Sequence, residues 1–162
     1  MHAAIRGFGI VALVGGLALG MMGDSPAAAV VDAEGQALQR TNPPGMSTPQ
    51  TYSHVVKAGK LLFVAGQVGY DADGKIVGAG MSEQYEQLLK NLKTVLASQG
   101  ADFNHIAKIT VFTTSIDEYR AAMPQVRPKY FGDSKPASTL VQVVRLAQPD
   151  IKIEIEAIAA LP

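Results

Sequence analysis

Near its C-terminal end the chain alternates with a strict period of two: Ile151, Ile153, Ile155 and Ala157 interleave with Lys152, Glu154 and Glu156. This period places the isoleucines on one face of a strand and the charged residues on the other. A second strand pattern begins at Pro136 (PASTLVQVV), and Gln148-Pro149-Asp150 supplies a turn between the two. A polar row on one strand face is either a solvated surface or the wall of a cleft that holds a carboxylate.

Upstream, Ser53 to Ala58 and Lys60 to Val68 are predicted strands joined by a tight turn at Gly59-Lys60. The uninterrupted apolar run Leu61–Ala65 predicts a central strand covered on both faces. Asp71-Ala72-Asp73-Gly74 is a turn and not a calcium loop, because Lys75 and Ile76 stand where such a loop needs an oxygen ligand and a glycine. Ser82 to Gln99 is the strongest helical pattern. Tyr85, Leu88, Leu89, Leu92, Val95 and Leu96 share one face, with Ser82 as the expected N-cap and Gly100 as the terminator.

Ile106 to Thr114 is a β-branched strand. Asp117 to Phe131 is helical, with Tyr119, Met123 and Val126 as its apolar side, and Pro124 and Pro128 predict a kink or two short helices. The resulting order, β-β-α-β-α-β-β, implies an α+β fold with two helices on one face of a mixed sheet. The other face, carrying Lys152, Glu154 and Glu156, is left for solvent or another subunit. His54 and His105 stand alone and are expected to be hydrogen-bonded or exposed, and with no third ligand motif no metal site is expected.

Composition narrows the function. The 162 residues suit one domain, and 14 basic residues against 14 acidic ones provide no field for nucleic acid. There is no cysteine, which excludes thiol nucleophiles and disulfides. The N-terminus has Arg6 before the apolar run Gly7–Met22, then Ala27-Ala28-Ala29, the pattern of an export signal cut before Val30. The expected organisation is therefore a leader over 1–29, a linker or draped arm over 30–48, and one domain over 49–162, located in the periplasm or secreted and free of the membrane once cut, with an uncleaved N-terminal anchor as the alternative.

Tyr52-Ser53, Phe63-Val64-Ala65-Gly66-Gln67, Asn91-Leu92, Thr110-Val111-Phe112, Pro136-Ala137 and Lys152 to Ala157 together resemble the Rid family of imine and enamine deaminases. The resemblance runs from about Pro49 to Leu161. It implies a chorismate-mutase-like fold, a homotrimer with a small-molecule cleft at each subunit interface, and hydrolysis of imines without metal or organic cofactor. By position, Glu154 would handle water, Gly66 and the amide of Leu140 would offer backbone donors, and Tyr52 would stand at the rim.

Ser138 occupies the position where the family's arginine clamps a substrate carboxylate. A neutral hydroxyl donor contributes about 1 kcal/mol, whereas each charge-assisted bond contributes about 1.5–3 kcal/mol, so a small anionic imino acid would bind poorly. Arg127, on the second helix, is a possible substitute, whereas Arg145 would point to the face opposite Ser138 if the strand were unbroken. The resemblance thus implies a deaminase with altered substrate range. The alternative is a trimer that only binds a small molecule or acts as a chaperone.

Overall fold

The computed structural model describes residues 30–31 and 35–162, and the predicted leader at 1–29 lies outside them. Six strands form one sheet: β1 (Gln39–Thr41), β2 (Val55–Ala58), β3 (Leu61–Gln67), β4 (Ile106–Thr113), β5 (Ala137–Gln142) and β6 (Ile153–Ala160). Their spatial order is β1-β2-β3-β6-β4-β5, antiparallel throughout except for the parallel β4–β5 pair. Among the described residues three α-helices accompany the sheet: α1 (Met81–Ala97), α2 (Ile116–Val126) and α3 (Pro128–Phe131). The α+β class and the mixed sheet are as expected, and of the two outcomes expected for the second helical segment the two short helices are found, because Pro128 starts a new one while Pro124 is tolerated inside α2.

Burial explains the layering. Helix α1 buries Tyr85, Leu88, Leu89, Leu92, Val95 and Leu96 against Leu62 and Val64 of β3 and Ile153, Ile155 and Ala157 of β6. Tyr85 meets Tyr119 edge-on at 5.4 Å between ring centroids, which ties α1 to α2. Burial holds the Tyr85 hydroxyl protonated far above its ordinary range, as expected for a core tyrosine.

Several expectations need correction. The segment read as a linker or draped arm lies against the domain and includes β1, which pairs with β2, and Val31 and Ala37 form a further bridge. Three residues are too few to show a period, so this strand was invisible to pattern reading. Leu62 and Val64 are buried, but Leu61 and Phe63 are 43% and 45% exposed, so the apolar run of β3 is covered on one face only within this chain. Helix α1 starts one residue before Ser82. Its N-cap is Gly80, whose amide donates to the Glu83 carboxylate at 3.1 Å.

The two closing strands are not neighbours, because β4 lies between them. Strand β6 begins at Ile153, so Lys152 leaves the row of glutamates and pairs with Glu118 of α2 at 2.8 Å. Strand β5 ends at Gln142, so counting alternation as far as Arg145 does not apply. The turns after β2 and at Asp73-Gly74 are as expected. Gly59 (φ 55°) lies in the two-residue loop of the first hairpin, and Gly74 (φ 77°) closes the second turn while Asp71 accepts from the amides of Asp73 and Lys75. Among the described residues no helix is long and apolar enough to cross a membrane.

Candidate functional site

Glu154 and Gly66 meet where the β3–β6 ladder is irregular. Val64 pairs with Ala157 and Gln67 with Ile155, so Ala65 and Gly66 together oppose Glu156 alone, forming a β-bulge. The bulge brings the Gly66 backbone onto the Glu154 side chain. A Cβ at Gly66 would overlap the Glu154 carboxylate oxygen and lie 2.7 Å from its carboxyl carbon. Glycine is required here by this close approach and not by a positive φ.

The bulge is fastened from behind by side chains that sequence reading left without a role. Gln67, only 2% exposed, donates through Nε2 to the Ala65 carbonyl at 3.0 Å and faces Nδ1 of buried His54 at 3.4 Å. Because Gln67 presents a donor, His54 carries its proton on Nε2, which donates to the Ser47 carbonyl at 2.8 Å. The His54 amide donates to Asn42 Oδ1 at 2.9 Å. His54 thus pins the 42–47 arm to the back of the bulge, a hydrogen-bonded role consistent with a lone histidine. His105 also behaves as expected, with Nδ1 lying 2.8 Å from Asp102, where it completes the turn that leads into β4.

Asn91 on α1 donates to the carbonyls of Val68 (3.0 Å) and Tyr70 (2.8 Å), which fixes the loop after β3. The signals for this residue were its place in the Asn91-Leu92 motif and a polar amide flanking the apolar stripe of a core helix. On the far side, Gln84 is fully buried. Its Oε1 accepts from the Lys152 amide at 2.8 Å and its Nε2 donates to the Asp150 carbonyl at 2.8 Å. These bonds hold the segment that enters β6.

Between these supports lies a cavity of about 270 Å³ walled by Tyr52, Gly66, Val68, Tyr70, Ile151 and Glu154, with Ala147 at its lip. Three of the five predicted site residues, Tyr52, Gly66 and Glu154, therefore converge. Among the described residues Glu154 has no hydrogen-bond or ion-pair partner. Burial, and secondarily the nearby Glu156 carboxylate, raise its pKa above the ordinary range. Burial also raises the Tyr70 hydroxyl, followed by the influence of Tyr52 and Glu154. Tyr52 is 52% exposed and meets the His54 ring edge-on at 6.1 Å.

Ser138 and Leu140 do not reach this cavity within one chain. They lie on β5, with β4 between them and β6, about 10 Å away at two strand spacings. Ser138 shares a row with Ile109 and Ala157, and Leu140 with Val111 and Ile155, whereas Glu154 shares one with Phe112 and Val141. Their side chains therefore belong to the helix-facing side of the sheet. The Val143 amide donates inward to Thr113, so by the two-residue period the Leu140 amide points to the free edge of the sheet.

Neither candidate arginine joins the cavity. The Arg127 guanidinium lies 4.2 Å from the centroid of the Phe131 ring and reaches the Ser134 carbonyl at 3.5 Å. Arg145 lines a different hollow with Thr114, Asp150 and Lys152. Among the described residues no group of three histidines or acidic residues could hold a metal ion.

Gly66→Ala is expected to abolish whatever Glu154 does in this cavity while the sheet persists. Soaking a crystal of the variant would show the carboxylate displaced, and an undisturbed Glu154 position would refute the close-approach account.

The profile of the endoribonuclease L-PSP family matches residues 45–161. The chain is 43% identical over 109 residues to a RutC family protein of Pyrococcus horikoshii, spanning 67% of this chain and 85% of that one. It is 36% identical over 109 residues to the 2-iminobutanoate/2-iminopropanoate deaminase of Mus musculus, spanning 67% and 79%. Among solved structures, a Rid-family protein of Yersinia pestis superimposes with a TM-score of 0.72 at 28% identity, covering 77% of this chain and all of that one. With the ordered motifs from Tyr52 to Ala157 set on this sheet, the chain belongs to the Rid family, the family of the endoribonuclease L-PSP profile.

Proposed function

We propose that this protein is a hydrolytic deaminase of reactive imines or enamines, working as a homotrimer whose clefts lie between subunits. The observation that carries this reading is the partnerless, half-buried Glu154 held against Gly66 in the cavity. Water adds to the imine carbon while Glu154 takes a proton from it. Glu154 returns that proton to the nitrogen, and the hydroxyl left on the carbon gives up its own proton to the nitrogen as the carbon–nitrogen bond breaks, so that ammonia leaves and a carbonyl product remains. A carboxylate with a pKa raised toward neutrality suits both transfers. The deaminase name of the mouse relative supports the same chemistry.

Two observations support assembly. Leu61, Phe63 and Val141 leave apolar surface on the sheet face away from the helices. The predicted donor at Leu140 lies on a free edge that cannot serve Glu154 in its own chain, so a neighbouring copy must bring it. Sedimentation is expected to show a trimer, and a monomer would remove the interface cleft.

The altered substrate range rests on Ser138. With 2-iminopropanoate generated by an amino-acid oxidase, the native protein is expected to act slowly. Ser138→Arg is expected to accelerate imine loss by about tenfold or more, the ratio that one added charge-assisted bond provides. No acceleration by either protein would reject hydrolysis of small imino acids and favour a trimer that only binds its ligand or serves as a chaperone. Export to the periplasm or beyond belongs to the same proposal and is tested by the N-terminal mass of the mature protein, expected to begin at Val30.

A further inference from the structure

The Glu154 cavity has an unusual balance of chemistry for a site expected to receive an anionic imino acid. Among the described residues, no lysine, arginine or histidine walls it. Its polar groups are one carboxylate without a partner and the phenols of Tyr52 and Tyr70, and the remaining wall is apolar or backbone. Glu156, two residues along β6, adds a second negative charge nearby. The edge that a neighbouring copy would bring carries Ser138 and Leu140, neither of them charged. An anion entering this space would meet repulsion offset only by neutral donors, whereas a cation would supply what Glu154 lacks.

The tyrosines add direction. An aromatic face attracts a cation through the negative charge above its ring, most strongly where water is excluded. Tyr52 contributes to the wall from the segment before β2, and Tyr70 from the loop after β3, where Asn91 grips its carbonyl. A carboxylate that shares its cavity with two aromatic side chains suits a small organic cation. We infer that the cavity recognises the protonated nitrogen of an amine-derived iminium or ammonium ligand, with Glu154 as counter-ion and Tyr70 as the residue that sets this preference. The preferred substrates are then imines of amines lacking a carboxylate, not imines of amino acids. The reacting step rests on the deaminase reading, whereas the binding preference does not.

The chemistry balances without a co-reactant other than water. Water adds to the iminium carbon, and Glu154 takes one of its protons and passes it to the nitrogen. The carbon–nitrogen bond then breaks, and the remaining hydroxyl proton goes to the departing ammonia. The products are an aldehyde and ammonium.

Three probes of one shape separate charge from size: phenethylammonium, 2-phenylethanol and phenylacetate, titrated into the full protein by calorimetry. Phenethylammonium is expected to bind at least about tenfold more tightly than phenylacetate, with the alcohol between them. Tyr70→Leu, which keeps the backbone bonds of the loop, is expected to weaken the ammonium by about five- to thirtyfold with an unchanged melting temperature, and Tyr70→Phe by no more than about threefold. Equal or tighter binding of phenylacetate overturns the inference, as does failure of phenethylammonium to bind or an unaltered affinity in Tyr70→Leu. A second arm supplies the imine made from phenethylamine by a flavin amine oxidase and follows its loss. Ammonium binding without faster imine loss would refute the deaminase reading and leave the cation preference standing. Hydrolysis of 2-iminopropanoate without ammonium binding would do the reverse.

Discussion

Glu154→Gln is expected to lower the rate of imine hydrolysis by about 10²–10⁴-fold, the range lost when a positioned acid–base group is removed. The same substitution is expected to make the protein more heat-stable at neutral pH. In the folded chain the carboxyl binds its proton more tightly than in the unfolded chain, because burial and then Glu156 disfavour the charge. The native protein therefore loses stability as pH rises through the raised pKa. Glutamine has no proton to lose there. Melting curves of the two proteins should coincide in acid, separate as pH passes through the ordinary carboxylate range, and run parallel once Glu154 is fully ionised. A variant less stable than the native protein at neutral pH would mean that Glu154 has a stabilising partner after all.

Gln84→Leu is the substitution with the largest expected cost in stability. It leaves the Asp150 carbonyl and the Lys152 amide without their side-chain partner, each bonded at 2.8 Å in the native chain. A buried polar group left unsatisfied costs about 1–3 kcal/mol, so the pair should cost about 2–6 kcal/mol. The segment these bonds hold includes Ile151, a wall of the Glu154 cavity. Denaturant titration is expected to show the loss in its midpoint, and hydrogen exchange should rise first at the amides of residues 150–152. A loss below about 1 kcal/mol would show that water takes over both bonds.

Much of this architecture was legible from pattern because each residue reports its own face. The isoleucines of β6 and the stripe of α1 identify themselves through periods of 2 and 3.6. Alternation says nothing about which strand lies alongside, so the insertion of β4 between β5 and β6 could not be read. That gap also determined how much of the site could be foreseen. Tyr52, Gly66 and Glu154 meet within one chain, whereas Ser138 and Leu140, close in the sequence pattern, lie across β4. Lys152 repeats the polar phase of its strand but precedes the ladder, where Glu118 takes its charge. His54, Gln67 and Asn91 act by gripping backbone carbonyls, from two residues away for Gln67 to twenty-three for Asn91, a role that neither residue type nor spacing discloses.

The position of β6 also governs how the chain folds. Of the six strands it is the latest in sequence, yet it lies between β3 and β4 at the centre of the sheet. Until it emerges from the ribosome, β1–β3 and β4–β5 are two fragments, each exposing a strand edge and an uncovered patch of apolar side chains. Closure then depends on contacts between distant parts of the chain, a slow kind of step. The strand that completes the hydrophobic core is also the one that bears Glu154, so the cavity's carboxylate arrives with the closure of the sheet.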